Sequence, residues 1–296
     1  MNIYALELDN DCKGIALRKQ YIESLLARLE QPDLVVLPEL ALCSYLGNET
    51  IWQYADPEGQ DTAAWARAMA EKYHTYLGVG YLEKSGGEYY NSYLLAGKDR
   101  VYGSVRKSEG EAYLFKRGSF ANVVAMPFGD VAVAICYDAR RKHFYDAVRD
   151  RAVSLILFPH GAPSDPGKAE VEQAVVDGFC GAYAAAFGVP VVYVNSKGTL
   201  DPMLGRTGKL MARAGFALNG MSKIYSAAGE PLPTGVPEAV GWCGELTPQK
   251  RRRELRFYGQ DLVKGNGLFR TFVLKPDIRD GIRFYETHKG GNTAPR

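Results

Sequence analysis

The stretch Val131-Ala132-Val133-Ala134-Ile135-Cys136-Tyr137-Asp138-Ala139-Arg140 runs five consecutive apolar residues straight into a thiol. An unbroken apolar run of that length reads as a strand covered on both faces. Upstream, Phe128-Gly129-Asp130 is a hairpin turn back to a partner strand at Val123–Met126. Downstream, a helix from about Lys142 to Arg151 leads to a second apolar run, Ser154-Leu155-Ile156-Leu157-Phe158, stopped by Pro159. An alanine-rich helix over Lys168–Phe187 then leads to a third strand at Val189–Val194. Buried strands alternating with helices are parallel βαβ units.

The N-terminal half carries the same signals. Ile3–Leu8 reads as a strand, Ile15–Glu30 as an amphipathic helix, and Leu34-Val35-Val36-Leu37 as a buried strand ended by Pro38. A helix over Ala63–Tyr73 precedes strands at Tyr76–Tyr81, Tyr89–Ala96 and Val101–Val105, with turns at Gly86-Gly87 and Gly97-Lys98-Asp99. Met221–Ser226 is a further strand, closed by Ala228-Gly229-Glu230. The glycine-, arginine- and lysine-rich segment Gly205–Gly220 reads as a mobile loop. The pattern weakens from Gly235, and Gly290–Arg296 reads as frayed. Parallel units with antiparallel hairpins make a mixed α/β protein. No repeat, linker or low-complexity stretch divides residues 1–296, so a single domain is expected.

Composition narrows the function classes. The chain is 46% hydrophobic and 24% charged, the balance of a globular protein. Thirty-six basic and 34 acidic residues leave a net charge of +2, so no nucleic-acid partner is expected, and Lys250-Arg251-Arg252-Arg253 reads as a solvated turn. No segment reaches the roughly 18 apolar residues of a membrane span, and the N-terminus lacks the basic start and apolar stretch of a signal peptide. Cysteines 12, 43, 136, 180 and 243 are odd in number and form no CxxC pair. That pattern points to free thiols in a reducing cytoplasm, without a zinc site or a disulfide framework.

Three strands end in a polar residue: Leu34–Leu37 before Pro38-Glu39, Val101–Val105 before Arg106-Lys107, and Val131–Ile135 before Cys136. In α/β sheets ligands bind beyond the carboxyl ends of strands, where side chains converge free of backbone. A carboxylate, an ammonium and a thiol meeting there make an activated nucleophile. Desolvated Glu39 takes the thiol proton, Lys107 holds the thiolate and faces a developing oxyanion, and the Tyr137 N–H is a second oxyanion donor. Each residue alone has a bland reading: a solvated strand end for Glu39 and Lys107, and an inert core thiol for Cys136.

The three segments Val35-Val36-Leu37-Pro38-Glu39, Arg106-Lys107 and Ala134-Ile135-Cys136-Tyr137-Asp138-Ala139-Arg140 resemble, in order and spacing, the signature motifs of the nitrilase (carbon–nitrogen hydrolase) superfamily. Tyr90-Asn91-Ser92, Ile156-Leu157-Phe158-Pro159, Val192-Tyr193-Val194-Asn195 and Gly220-Met221-Ser222-Lys223-Ile224 extend the likeness over roughly residues 1 to 232, with the tail matching only loosely. The resemblance implies a four-layer αββα sandwich and a Glu39, Lys107, Cys136 triad with no metal or organic cofactor. It also implies a homodimer or larger homo-oligomer in which the tail from about residue 235 lies on its neighbour. Glu111-Ala112-Tyr113-Leu114-Phe115-Lys116-Arg117-Gly118 resembles the stretch that carries a second glutamate, making Glu111 a further catalytic candidate. The loop Ser108-Glu109-Gly110 is shorter than the family pattern, which has a His-Leu pair there, and so leaves Glu109 as a competitor for that role.

The implied reaction is hydrolysis of a small-molecule amide or N-carbamoyl group through a Cys136 thioester. Tyr-Asp after Cys136 is similar to amidase branches, where nitrilases have Cys-Trp-Glu. Arg140 is a candidate grip for a substrate carboxylate, against the alternative of an internal salt bridge with a residue such as Asp138. His160 and Tyr45 are further substrate-wall candidates. A Cys–His hydrolase or acyltransferase using His143 or His160 is the rival enzyme reading, although His143, on a helix among charges, reads as a surface residue. A non-catalytic binding subunit on the same fold is the reading from another class.

Overall fold

The computed structural model describes residues 1–233 and 238–290. Two sheets carry the architecture. The first is seven-stranded, in the order Ala239–Cys243, Asn2–Leu6, Leu34–Val36, Tyr76–Ser85, Glu88–Ala96 and Val101–Arg106, with the short Asp56–Pro57 strand beside Tyr76–Ser85. The second is five-stranded, in the order Lys223–Tyr225, Val191–Val194, Leu155–Pro159, Gly129–Val133 and Val123–Met126. Each sheet has parallel central pairs and antiparallel outer ones.

The strands read as continuous apolar runs because both faces of each sheet are covered. Successive side chains alternate faces. Val36, Leu95 and Val105 from the first sheet therefore pack between the sheets against Val131, Val133, Leu155 and Leu157 from the second. On the outer face of the first sheet, Val35, Leu77 and Val79 meet Ile22, Leu25 and Met69. Those partners come from the helices Ile15–Leu26 and Gln60–Lys72. On the outer face of the second sheet, Ala132, Ile156 and Phe158 meet Phe144, Phe179 and Tyr183. These belong to the helices Lys142–Val148 and Ala169–Phe187. The order of layers is helix, sheet, sheet, helix, the αββα sandwich expected.

Local departures from the sequence reading have physical causes. The first helix ends at Leu26, and the strand before the thiol ends at Val133, after which Ala134 keeps one bond to Leu157 O at 3.0 Å. Gly205–Gly220, read as a loop, contains the helix Gly205–Arg213 and the strand Ala217–Asn219. The Asp277 carboxylate accepts the N–H groups of Arg206 and Thr207 at 2.7 and 2.9 Å, capping that helix from another element. Lys250 belongs to a two-residue strand paired with Ala152–Val153 rather than to a free turn. The expected fraying at Gly290–Arg296 concerns residues 291–296, outside the described residues, as are residues 234–237 of the weakening pattern.

Beyond the strands Ala239–Cys243 and Gln249–Lys250, further bonds tie the tail to the sandwich. Tyr285, in the helix Lys275–His288, accepts the Tyr89 N–H at 2.8 Å and donates to Glu88 Oε2 at 2.7 Å. Gln260–Leu262 lies along the residues after Cys136, with Lys142 N–H to Gln260 O at 3.0 Å and Leu262 N–H to Arg140 O at 2.9 Å. Among the described residues no helix is long and apolar enough to cross a membrane.

The layer between the sheets is lined by fully buried apolar side chains from both. Leu157→Ala, at a fully buried position there, should lower stability by about 2–5 kcal/mol through lost burial and an unfilled cavity. The urea unfolding midpoint reads it.

Candidate active site

Glu39, Lys107 and Cys136 each stand just past the carboxyl end of a strand, and the packing of the sheets brings those ends together. After Pro38 the chain doubles back with Leu40 at φ +51°, a left-handed conformation that costs a non-glycine residue energy. The adjacent Gly80 makes this possible, since a Cβ there would collide with Pro38 O and Leu40 N. From helix Ile15–Leu26, buried Arg18 donates to Ala41 O, to Asp9 O at 2.9 Å and to Cys12 O at 2.8 Å, pinning the same turn.

Glu39 is 1% exposed, yet both carboxylate oxygens are satisfied. Oε1 accepts from Lys107 Nζ and Asn91 Nδ2, each at 2.6 Å, and Oε2 accepts the Gly161 N–H at 2.7 Å. Lys107 Nζ also donates to Glu111 Oε1 at 2.8 Å, and Tyr45 Oη donates to that same oxygen at 3.0 Å. One ammonium thus lies between two carboxylates. Burial alone would lower the Lys107 ammonium, but the neighbouring Cys136, Glu111 and Glu39 outweigh it and hold it well above the usual lysine range. Burial raises the Glu39 carboxyl, opposed by Lys107 and reinforced by Glu111.

Cys136 opens a short 3-10 helix, Cys136–Arg140, and takes φ +52°. A non-glycine residue held there is strained by roughly 1–3 kcal/mol. Neighbouring bonds hold it in place: Asp138 N–H donates to Ile135 O at 3.1 Å, and the Asp138 carboxylate accepts the Ser108 and Glu109 N–H groups, both at 2.8 Å. Asp138 therefore fixes the loop after Lys107 to the turn that carries the sulfur. Burial and then the Glu39 charge push the Cys136 thiol up, with Lys107 opposing. The Gly161 amide that binds Glu39 also faces this sulfur. The Tyr137 N–H lies in the first turn, where amides lack an acceptor inside the helix.

Of these groups Cys136 alone lines the cleft, a space of about 120 Å³ bounded also by Tyr137, Arg140, His160, Phe179 and Tyr193. A wider shallow depression at Asn2, Tyr4, Glu30 and Gln31 holds no nucleophile.

The remaining sequence candidates fall into place around this centre. Glu111, not Glu109, reaches Lys107, whereas Glu109 pairs with Arg117 at 2.8 Å and Arg141 at 3.3 Å. Tyr45 is buried behind Glu111 and does not line the cleft. Arg140 does line it, but its guanidinium is paired with Asp261 Oδ1 and Oδ2, both at 3.2 Å, so the internal partner is Asp261 rather than Asp138. Tyr137 Oη donates to the same carboxylate at 3.0 Å. His143 is not a free surface group: its ring packs on Phe120, with Nε2 3.4 Å from Asp138 Oδ1. His160 is buried, and its Nδ1–H donates to Phe158 O at 2.9 Å. Among the described residues neither histidine hydrogen-bonds Cys136, which leaves the Cys–His scheme without its defining contact. Asn91, Asp138, Gly80, Gly161 and Asp261 were not singled out as site residues. Asn91 and Asp138 lie within the quoted motifs, whereas nothing local marks Asp261.

The Carbon-nitrogen hydrolase family model matches residues 9–239. The chain belongs to the carbon–nitrogen hydrolase family. An aliphatic nitrilase from Sinorhizobium fredii is 26% identical over 127 residues, covering 41% of each chain. A probable nitrilase from Schizosaccharomyces pombe is 27% identical over 126 residues, covering 40% of this chain and 46% of its own. The chain thus spans less than half the length of these curated relatives. Among solved structures, a carbon-nitrogen hydrolase from Helicobacter pylori G27 superposes with TM-score 0.68 at 19% identity, over 85% of this chain and 87% of that one. An amidase from Nesterenkonia sp. gives 0.64 at 20% identity, over 84% and 91%. Both structures share the fold described above.

Burial lowers the His160 imidazole to about 3 from 6.5. Its neutral form is favoured in the folded chain, so stability should fall as pH drops from about 6.5 towards about 3, while the unfolded chain binds the proton and the folded one does not. The slope should approach about 1.4 kcal/mol per pH unit for this one proton. Urea midpoints measured across that window should show it, and His160→Gln should flatten it.

Proposed function

We propose that the chain hydrolyses the amide or N-carbamoyl bond of a small molecule, with Cys136 as nucleophile, Glu39 as the proton-transfer group and Lys107 as the charge that stabilises the oxyanion. The reading is carried by one arrangement: a buried ammonium held between Glu39 and Glu111, beside a protonated thiol that opens to a small cleft. As Sγ attacks the carbonyl carbon, its proton passes to Glu39 and the carbonyl electrons settle on oxygen, facing Lys107 and the Tyr137 N–H. Protonated Glu39 then gives that proton to the nitrogen, the C–N bond breaks, and the amine or ammonia leaves a thioester on Cys136. Water, losing a proton to Glu39, attacks the thioester. The acid departs and the proton returns to sulfur. Glu111 holds Lys107 in place.

The resting state fits this scheme. A thiol that stays protonated until a base is aligned does not react indiscriminately, and a base kept dry beside a cation serves both directions of transfer.

Cys136→Ala, Lys107→Ala and Glu39→Gln should each reduce ammonia release from a panel of amides, carbamoyl amines and carbamoyl amino acids by at least about 10³-fold. Circular dichroism should remain that of the parent. Full turnover by Lys107→Ala would overturn the scheme.

We further propose that residues 1–296 act as one hydrolase domain that pairs with a second copy through its tail. Leu268 and Phe272 are 71% and 69% exposed, and Ile278 and Ile282 also face outward on the adjoining helix. Apolar side chains so closely spaced on a surface are a common mark of an interface. Light scattering should give at least twice the mass of one chain, 32.6 kDa, and Phe272→Asp should shift it towards the monomer.

A further inference from the structure

Among the described residues the unpaired charged side chain of the cleft is acidic. Arg140, the cleft's one positive residue, is matched by Asp261, which Arg141 also approaches at 3.8 Å. Glu172 lines the same cleft and has neither an ion pair nor a hydrogen bond among the described residues. It stands in the first turn of the helix Ala169–Phe187.

The rings beside it supply a second, independent observation. His160 and Tyr193 have centroids 4.4 Å apart, His160 and Phe179 6.0 Å, and Phe179 and Tyr193 6.2 Å, and all three line the cleft. Phe158 O can only accept, so His160 Nδ1 carries the proton and Nε2 is left as an acceptor. Electron-rich ring faces, an acceptor nitrogen and an unpaired carboxylate are all complementary to a cation. A substrate carboxylate would meet Glu172 directly and would have to displace Asp261 from Arg140.

We propose that Glu172, His160, Phe179 and Tyr193 form a subsite for a cationic group, so that the favoured substrates are short amides or ureides ending in an ammonium or guanidinium. The choice of amide or ureide rests on the hydrolytic reading above, whereas the charge preference of the subsite does not.

Thiol-directed probes separate the two. Cys136 of the full chain is modified with 2-(trimethylammonio)ethyl methanethiosulfonate and, in parallel, with 2-sulfonatoethyl methanethiosulfonate. Each rate is normalised to a free model thiol and read at the Cys136 peptide by mass spectrometry. The cationic reagent should react at least about tenfold faster. Glu172→Gln should shrink that ratio several-fold and Glu172→Lys should invert it, whereas Glu170→Gln, at an exposed site two residues away, should keep it. An anionic reagent that reacts equally fast with the parent protein, or an unchanged ratio in both Glu172 variants, would overturn the subsite.

Turnover supplies the second arm. kcat/KM for an amide with a terminal ammonium should exceed that of its methyl-ended isostere, and a preference for the carboxylate-ended analogue would overturn the subsite. Cation-selective labelling without hydrolysis of any amide would uphold the subsite and overturn the hydrolytic reading.

Discussion

The ion pair between Glu39 and Lys107, 2.6 Å long and almost fully dry, is the constraint around which the rest of the molecule is arranged. Removing two charges from water costs several kcal/mol per ion even after relaxation, and attraction between them repays this only when every remaining lone pair and proton is satisfied. The surroundings meet that demand. Asn91 and Gly161 complete Glu39, and Glu111 completes Lys107 with help from Tyr45. Such a pair adds little to stability. Its value lies in holding a fixed charge next to sulfur before any substrate arrives.

Two sheets packed face to face make this possible. Glu39, Asn91 and Lys107 come from the first sheet and its loops, while Cys136 and Gly161 follow strands of the second. The apolar layer between the sheets therefore sets the distance between Glu39 and Cys136. Gly161 is a point of close approach in that junction. A Cβ there would strike the Tyr45 ring and come within 3.1 Å of Glu39 Oε2, so only glycine lets one amide serve both groups.

Sequence carried the architecture well because both faces of the central strands are covered, which removes polar residues from runs such as Leu155–Phe158. It marked Glu39, Lys107 and Cys136, which the structure brings together, because strand ends are marked by the first polar residue after an apolar run. It failed where structure depends on distant partners. The helix Gly205–Arg213 begins with one glycine and carries a second at Gly208, and its cap is supplied by Asp277 from the C-terminal helix. The partner of Arg140 lies 121 residues away, in a tail with no periodic signal. The choice between Glu109 and Glu111 depended on how a short loop folds, and Asp138, whose two oxygens take consecutive amides of that loop, decides it.

Asp261 joins the tail to the chemistry. The carboxylate takes two bonds from Arg140 and one from Tyr137, and its Oδ1 also accepts the Val263 N–H at 2.8 Å. The segment from Cys243 to Asp261 thus works as a counter-ion on a tether. Without Asp261 the guanidinium of Arg140 would stand unmatched at the mouth, so a residue of the tail sets the electrical balance met by an incoming molecule.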